Sequence, residues 1–537
     1  MAAALAHLTA DVSLDLWEAT LGDLLSRAVA DAPDTVALVS AADARRWTYT
    51  ELDAAADRVA RALTGLFEVG DRIAIWSTGL PEFVLLQFGA ARAGLVIVPL
   101  NPAYQPAELR YALRQSGPRA VFVGPPVRGR SLREVVDAVR ADTPAVQYVL
   151  ELAGVEEFST AGEATSPLPD VSPGDPVMIQ YTSGTTGTPK GTLLTHRGIV
   201  NNARFSALRA GVDPGGVWLN PLPMFHTGGC VFNALGVMAN RGRHVLMPSW
   251  DAGAALELIE RERATFLCCV PTMLIEMLEH PDFAKRDCSS LQTVLSGGSA
   301  VSPELVRRVE SGLGVSYIMV FGQSESGPTV TMTNPTDPDE LKADTIGYPL
   351  PHTEVKVVDP ATGDTVPRGI PGELCVRGYG RMLCYFDMPE ETAAAIDADG
   401  WLHTGDLGRM SDSGYLTISG RLKEIIRRGG MTVSPRAVED VLFGRAGVGD
   451  VAVVGVPDER LGERVAAFLR PAPDAILDID GLRAYAEQNL ARYKVPDYWV
   501  VVDALPRTPS GKIQKFVLRD RFLAGDYSAV TGNRRTR

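Results

Sequence analysis

The sequence predicts an α/β protein with a large N-terminal domain of parallel-type sheets covered by helices and a small α+β C-terminal domain. The chain has 537 residues, whereas single hydrophobic cores stop growing near roughly 250 to 300 residues. Its first third alternates short β-branched runs with helical patterns, which is typical of parallel sheets. From about Tyr415 the pattern changes to short strands separated by helices, and this fits a smaller domain of roughly 110 residues.

The N-terminal alternation can be followed in order along the chain. Strand-like runs at residues 36–39, 72–75 and 95–98 are separated by helical patterns at residues 51–66 and 82–93. Because a parallel pair of strands needs a long crossover, helices of this length between the runs favour a parallel sheet.

Helix starts are marked by capping residues. Thr48 and Glu51 have the spacing of a capping box, and Ser302 before Pro303 is a cap residue followed by proline in the first turn. Apolar residues follow the first of these starts at helical intervals: Leu52, Ala56, Val59, Leu63 and Leu66. We therefore expect helices after residues 48 and 302.

The C-terminal part has its own alternation. Strands are predicted at residues 415–419, 451–456 and 499–502, and helices at residues 435–443 and 479–490. Two helices and several short strands in this length of chain indicate a separate α+β domain.

Composition and charge exclude several classes of protein. The chain is 45% hydrophobic and 22% charged, which favours a globular protein over a disordered one. Its formal charge of -13 and pI near 5.2 argue against a nucleic-acid partner, because phosphate backbones require clustered Lys and Arg. The first residues lack the basic and apolar regions of a secretory signal, so we expect a cytoplasmic protein.

The most apolar window and the cysteines indicate neither a membrane span nor a disulfide framework. Residues 73–100 are interrupted by Pro81, Glu82 and Arg92, so we predict no transmembrane helix. The six cysteines form no C-x-x-C pair and are expected to be reduced, mostly buried thiols. They are Cys230, Cys268, Cys269, Cys288, Cys375 and Cys384.

A loop at residues 181–191 carries the strongest chemical signal. It holds three glycines, five Ser and Thr hydroxyls and a lysine, and it follows a strand-like run at residues 177–180. Backbone N–H groups and hydroxyls in such a loop can surround phosphate oxygens. Pro189 and Gly191 on either side of Lys190 break the Walker pattern, so the sequence predicts a phosphate loop of another kind.

Six further motifs follow in chain order, at residues 221–226, 296–300, 321–325, 401–406, 420–424 and 509–512. Together with the loop at 181–191, they resemble the signature motifs of the adenylate-forming superfamily of acyl-CoA synthetases, luciferases and peptide-synthetase adenylation domains. The resemblance covers roughly residues 20 to 525. It implies an N-terminal domain of residues 1–420 that includes a β-barrel-like subdomain, and a mobile C-terminal domain of residues 421–537.

The resemblance implies an ATP-dependent reaction in which a carboxylate attacks the α-phosphate and pyrophosphate leaves. Two anions must meet, so cationic groups and a metal ion are needed to offset their repulsion. Glu325 and a hydroxyl of Thr185 or Thr186 resemble the magnesium ligands, and hard oxygen donors suit this ion. Phe321 offers an aromatic face for adenine, and the turn of residues 297–299 closes the other side. Other implied ATP contacts are Thr182, Ser183, Gly184, Gly187, Lys190, Gly297, Gly298, Ser299, Gly322, Gln323 and Ser324.

Three C-terminal positions match family residues with further roles. Asp406 matches the acceptor for both ribose hydroxyls, and Arg421 is suited to a forked contact with ribose or phosphate. Lys512 matches the catalytic lysine that bridges the carboxylate and the α-phosphate. A donor to the transition state contributes roughly 100- to 1000-fold in rate.

The acyl pocket is expected around the motif at residues 221–226. The implied lining residues are Phe225, His226, Gly229, Cys230, Asn233, Gly327 and Val330. His226 either shapes and gates the path between acyl group and acceptor, or is a packed histidine with its hydrogen bonds satisfied. No acidic residue follows Phe225, where amino-acid-activating relatives place Asp, so an amino-acid substrate is disfavoured.

The acceptor half of the reaction is implied by a hinge and a tunnel. Lys423 matches the hinge about which the family rotates its C-terminal domain between half-reactions. Residues 427–431, with Arg428, Gly429 and Gly430, would then line the tunnel for the pantetheine arm of coenzyme A, because glycine permits close approach. Many acyl-CoA synthetases have Glu and Asn where this chain has Met431 and Thr432, and Cys384 replaces a usual glycine.

These departures leave the acceptor open. The leading hypothesis is a fatty- or aryl-acid:CoA ligase that uses ATP, Mg²⁺ and coenzyme A. Alternatives are transfer to a carrier-protein thiol or an amine, or activation of a small oxyanion such as nitrite. A serine hydrolase is disfavoured because Ser326 stands where the nucleophile elbow needs glycine, and a nucleotide sensor would need neither Lys512 nor Glu325. The acid and the oligomeric state remain open.

Overall fold

The computed structural model describes residues 4–161, 167–182, 189–297, 301, 303–443, 445–473, 475–507 and 512–531. The chain forms two compact units. The smaller unit comprises Met1–Ala6, Lys356–Leu374 and Thr404–Arg537, and the larger comprises His7–Val355 and Cys375–His403. A boundary at residues 420 and 421 stays a prediction.

The elements up to residue 209 are β1 His7–Leu8, α1 Leu21–Asp31, β2 Val36–Ser40, β3 Arg46–Thr48, α2 Tyr49–Thr64, β4 Arg72–Trp76, α3 Pro81–Arg92, β5 Val96–Leu100, α4 Pro106–Ser116, β6 Ala120–Val123, α5 Leu132–Val139, β7 Tyr148–Glu151, α6 Val155–Ala161, β8 Pro176–Thr182, β9 Lys190–Thr195 and α7 His196–Arg209. Those from residue 217 to 395 are β10 Val217–Asn220, α8 Ala234–Ala239, β11 Arg243–Leu246, α9 Ala252–Glu262, β12 Phe266–Cys269, α10 Pro271–Leu278, β13 Thr293–Gly297, α11 Pro303–Leu313, β14 Ser316–Phe321, β15 Thr331–Met332, α12 Asp339–Asp344, β16 Tyr348–Pro349, β17 Thr353–Val358, β18 Gly372–Gly378, β19 Cys384–Tyr385 and α13 Pro389–Ala395.

The remaining elements are β20 Leu402–Met410, β21 Leu416–Arg421, β22 Ile426–Arg428, β23 Met431–Val433, α14 Pro435–Leu442, β24 Val448–Asp458, β25 Gly462–Pro471, α15 Ile479–Asn489, β26 Tyr498–Val501, α16 Lys515–Leu523 and β27 Ala529–Thr531. The predicted C-terminal helices and strands all appear here, each within a few residues of its expected bounds.

Two large sheets dominate the larger unit. One has nine strands in the order β16-β15-β14-β13-β12-β10-β11-β2-β3, and its strands from β14 to β2 are all parallel. The other has seven strands in the order β19-β9-β8-β5-β4-β6-β7 and is parallel from β8 to β7. The predicted parallel sheets with helical crossovers are confirmed.

Helix α3 explains the apolar window at residues 73–100. Eleven of its twelve residues are buried, as expected for a helix that is apolar on every side and lies inside a large core. It packs against α2 and α1. No helix in the described part of the chain is long and apolar enough to cross a membrane.

The predicted capping box at the start of α2 is present. The Thr48 hydroxyl accepts from the Glu51 amide at 3.2 Å, and the Thr48 amide donates to the Glu51 carboxylate at 2.8 Å. The expected apolar stripe is buried up to Leu63, whereas Leu66 lies beyond the end of the helix and is exposed. A helix also begins where the second start was predicted, since α11 begins at Pro303, and the predicted cap residue Ser302 lies outside the described residues.

Two smaller sheets complete the fold. A five-stranded sheet has the order β1-β17-β18-β20-β21. A six-stranded sheet contains β22 to β27, with the long strand β25 paired to β24, β22 and β26. Helices α14, α15 and α16 accompany these strands, so the C-terminal part is α+β as predicted.

Candidate active site

Strands β8 and β9 flank the predicted phosphate loop. Thr182 at the end of β8 faces Lys190 at the start of β9 in an antiparallel pair. The Tyr181 hydroxyl donates to the carbonyl of Ala112 in α4 at 2.9 Å, which ties the base of the loop to that helix. The predicted phosphate contacts Ser183, Gly184, Thr185, Thr186 and Gly187 lie outside the described residues.

Glu325 lies in a one-turn 3-10 helix, Ser324–Ser326, that follows β14. Gln323 caps this turn, and the buried Ser326 hydroxyl accepts from the Gln323 amide at 3.1 Å. Gly322 is required at the preceding position, because a Cβ there would lie 1.8 Å from the carbonyl oxygen of Pro328. The turn therefore holds the half-buried Glu325 carboxylate at the end of a parallel strand.

Tyr385 joins Glu325 to the phosphate loop, and sequence analysis missed it. Its hydroxyl donates to Glu325 Oε1 at 2.9 Å. The Lys190 ammonium lies 4.6 Å from the centre of its ring, a cation–π distance. Strand β19 positions this side chain by pairing Tyr385 with Thr192 of β9. The structure thus brings two predicted ATP-site residues, Lys190 and Glu325, onto one buried tyrosine.

The predicted adenine residues lie at the ends of neighbouring strands. Phe321 is the half-buried last residue of β14, and Gly297 is the last residue of β13, to which β14 is parallel. The carboxyl ends of parallel strands form a ligand-binding edge in open α/β sheets. Gly298 and Ser299, the rest of the predicted adenine turn, lie outside the described residues.

Five of the predicted acyl-pocket residues lie in or just before a π-helix at Gly228–Asn233, which the sequence did not predict. Gly229, Cys230 and Asn233 are buried within it, and π-helical turns are frequent at functional sites. Gln180 of β8 donates to the carbonyl of Phe225 at 2.7 Å, linking this segment to the strand before the phosphate loop. Gly327 and Val330, both buried, follow the Glu325 turn, and the Val330 amide donates to Phe321 O at 2.9 Å.

His226 and Cys230 have packing contacts within this segment. His226 Nδ1 accepts from the Gly228 amide at 3.0 Å, so this nitrogen is occupied. Burial raises the pKa of the Cys230 thiol to about 12, so the thiol is neutral at physiological pH. All six cysteines are free thiols, four of them buried, as predicted.

In the smaller unit, Asp406 and Arg421 face each other across β20 and β21. Arg421 Nε donates to Asp406 Oδ1 at 2.8 Å, and the Asp406 side chain is 4% exposed. A buried carboxylate held by a guanidinium can accept hydrogen bonds from neighbouring hydroxyls at little cost in reorganisation. The structure therefore pairs the two predicted ribose residues with each other.

Lys512 lies exposed after a loop whose residues 508–511 are outside the described chain. The neck of this loop is closed by a hydrogen bond from the Gln514 amide to Pro506 O at 2.7 Å and by a bridge between Arg507 and Ile513. Lys423, the predicted hinge, lies exposed in the 3-10 turn Leu422–Glu424.

The predicted tunnel residues form the turn between β22 and β23. Arg428 and Met431 close this hairpin, and Gly429 and Gly430 have φ values of +57° and +79°. Two consecutive positive φ values fit a tight hairpin turn that favours glycine. Arg428 donates to Asp497 at 2.6 Å and to the Tyr493 carbonyl at 2.6 Å, so its guanidinium also has a structural role.

Family models and curated relatives match this chain over most of its length. The family of AMP-binding enzymes matches residues 25–386, and the AMP-binding enzyme C-terminal domain matches residues 437–512. The medium-chain acyl-CoA ligase ACSF2 of Danio rerio, a mitochondrial protein, is 35% identical over 94% of this chain and 89% of its own. The acyl-CoA ligase sidI of Aspergillus fumigatus is 36% identical over 93% of this chain and 90% of its own.

A solved structure extends the likeness to the fold. ATP-bound MatB from Rhodopseudomonas palustris superimposes with a TM-score of 0.86 at 30% identity, and the match covers 94% of this chain and 99% of MatB. Both family matches fall in the expected order along the chain. The chain therefore belongs to the AMP-binding enzymes, the adenylate-forming family.

Proposed function

We propose that the protein is an AMP-forming acid:CoA ligase acting on a medium-chain fatty acid or an aromatic acid. In the first half-reaction the carboxylate oxygen forms a bond to the α-phosphorus of ATP, and the bond to the pyrophosphate leaving group breaks. In the second, the thiol of coenzyme A loses its proton and attacks the acyl carbon, and AMP leaves. A medium-chain acid is suggested by the name of the ACSF2 relatives.

The observation that carries the proposal is the contact between Tyr385, Glu325 and Lys190 in the larger unit. Tyr385 occupies one oxygen of Glu325 at 2.9 Å and places its ring against the Lys190 ammonium. A fixed carboxylate and a fixed cation beside a glycine-rich loop suit a triphosphate with its metal ion. Family membership and this geometry support ATP as the nucleotide.

The donor set at Glu325 fits Mg²⁺. The second carboxylate oxygen is a hard ligand, and a hydroxyl of Thr185 or Thr186 completes the predicted pair. When bound, the ion would neutralise phosphate charge as it develops. The protein residues orient the reactants: Lys190 faces the phosphates, Asp406 holds the ribose, and Lys512 stabilises the pentavalent phosphorus in the first half-reaction only.

The test is a pyrophosphate-release screen over octanoate, decanoate, benzoate and cinnamate, run with and without coenzyme A. We expect acid-dependent AMP formation, and a thioester product when coenzyme A is present. Separate reactions with a holo-carrier protein and with an amine identify another acceptor. Glu325→Gln should lose activity, whereas Glu340→Gln, an exposed acid in α12, should not. AMP formation that is absent with every acid, or is unaffected by Glu325→Gln, would contradict the proposal.

The cellular location is a prediction only. We expect a cytoplasmic protein because the first residues lack the pattern of a secretory signal.

A further inference from the structure

An ion-pair cluster lies at the start of α16. The Lys515 ammonium is 2.9 Å from Glu424 Oε2 and 2.8 Å from Glu439 Oε1. The three side chains are 21%, 27% and 18% exposed, so the cluster is largely withdrawn from solvent. Lys515 and Glu439 lie outside the motifs that identified the site, and Glu424 is the last residue of the motif at 420–424.

The cluster joins three elements of the smaller unit. Lys515 is the first residue of α16 and lies three positions after Lys512. Glu424 ends the 3-10 turn that contains the proposed hinge residue Lys423. Glu439 lies in α14 and also accepts from the Val453 amide of β24 at 2.7 Å. One ammonium group therefore connects the hinge turn, α14 and the segment that carries Lys512.

The neck of the Lys512 loop has a second charged contact. Arg507, on the other strand of the neck, donates to Asp450 of β24. Backbone contacts close the neck itself, between Gln514 and Pro506 and between Arg507 and Ile513. The orientation of the neck on the six-stranded sheet therefore depends on Arg507 on one side and on Lys515 on the other.

The charges within the cluster favour a fixed lysine. Two carboxylates face one ammonium, so movement of Lys515 would leave like charges close together in a half-buried place. Burial acts to lower the pKa of Lys515, but Glu439 and Glu424 outweigh it and the pKa is raised. Lys515 stays protonated throughout the physiological range.

We propose that Lys515 is a positioning residue for Lys512: by pinning the neck of its loop to the hinge turn and to α14, it sets where the Lys512 ammonium stands during adenylation. This inference rests on the proposed function, in which Lys512 serves only the first half-reaction. Only two residues lie between Lys512 and Lys515, and a displacement of about 1 Å in a catalytic group can cost roughly 100-fold in rate.

The kinetic test uses Lys515→Met, with octanoate as the acid. We expect kcat for octanoate-dependent ATP–pyrophosphate exchange to fall roughly 10- to 100-fold, with the KM for ATP unchanged. Thioester formation from octanoyl-adenylate and coenzyme A should stay near the wild-type rate. Lys515→Arg should restore much of the exchange, because it keeps the charge. The matched control is Arg519→Met, which removes from the same helix an exposed cation that lies 3.9 Å from Glu463.

Hydrogen exchange provides a readout that does not depend on activity. In Lys515→Met, amide exchange across residues 506–514 should become faster than in the wild type, whereas Arg519→Met should leave it unchanged. Equal losses of both half-reactions would indicate a merely structural role and overturn the proposal. Unchanged exchange at 506–514 would also overturn it. A wild-type chain inactive with every acid would count against the proposed function, and hydrogen exchange would still decide the anchoring.

Discussion

The two units hold their predicted catalytic groups by different kinds of contact. In the larger unit, tyrosine hydroxyls hold the groups: one donates to Glu325, and another ties the base of the phosphate loop to α4. In the smaller unit, ion pairs hold them, at Lys515 and between Arg428 and Asp497. Both kinds of contact are largely withdrawn from solvent, but an ion pair loses its attraction when either partner loses its charge. We infer that the smaller unit depends on charge to hold its groups, whereas the larger unit depends on hydroxyl donors.

Lys512→Ala should have the largest effect and is the strictest test of this difference. Loss of the ammonium should lower acid-dependent ATP–pyrophosphate exchange by roughly 100- to 1000-fold, because a transition-state donor is removed. Thioester formation from preformed acyl-adenylate should be retained. Both rates are measured on the same preparation, with Lys494→Ala as the control. Loss of both half-reactions together would contradict a group that serves only one of them.

Low pH should lower the stability of the larger unit by protonating His196. This buried side chain accepts from the Leu21 amide at 3.2 Å through Nδ1, and burial lowers its pKa to about 4, although Asp175 and Asp23 oppose the shift. The unfolded chain binds the proton at higher pH than the folded one, so stability is lost as the pH falls from about 6.5 to about 4. A shift of this size corresponds to about 3 kcal/mol.

Urea unfolding at pH 7 and pH 4.5 measures this loss. His196→Gln, which does not titrate, should show a smaller difference between the two pH values, whereas His7→Gln at an exposed position should not. Some loss will persist in the variant because burial also lowers the pKa of His244, to about 3. If the pH dependence of stability is unchanged in His196→Gln, the protonation of His196 at its contact with Leu21 does not cause the loss.

Sequence analysis predicted the fold class and the family because their signals are local. The capping box of Thr48 and Glu51 spans four residues, and each signature motif is a short continuous segment. Tyr385 could not be found in this way, since it lies 60 residues from Glu325 and meets it only through pairing of β19 with β9. Its neighbour Cys384, noted as a departure from the family, was the only local signal.

The same limit applies to Lys515. It lies 91 residues from Glu424, and a lysine at the start of a C-terminal helix is indistinguishable in sequence from a solvated one. The π-helix at Gly228–Asn233 was missed for a different reason. Its residues have no periodicity that separates a π-turn from an α-turn, and only backbone hydrogen bonds across five residues, such as that from the Ala234 amide to Gly229 O, reveal it.

Asp406→Asn tests the ribose contact in the smaller unit. The neutral amide accepts more weakly than a carboxylate, and a hydrogen bond to a buried charged group is worth about 2 kcal/mol. The kcat/KM for ATP should fall roughly 30-fold. With 2′-deoxy-ATP the fall should be smaller, because one of the hydroxyls is already missing. If kcat/KM falls equally with both nucleotides, Asp406 does not contact the ribose. Its bond to Arg421 would then have a structural role only.

Tyr385→Phe should have the smallest effect and isolates the hydroxyl contact in the larger unit. The ring stays beneath Lys190, but Glu325 loses its donor, which is worth about 1 kcal/mol for orienting a metal ligand. The Mg²⁺ concentration needed for half-maximal activity should therefore rise roughly fivefold while kcat at saturating Mg²⁺ changes little. Tyr385→Leu, which also removes the ring, should affect kcat as well. If the Mg²⁺ dependence is the same in Tyr385→Phe and wild type, Tyr385 supports the phosphate loop through Lys190 alone, and packing holds Glu325 instead of that hydrogen bond.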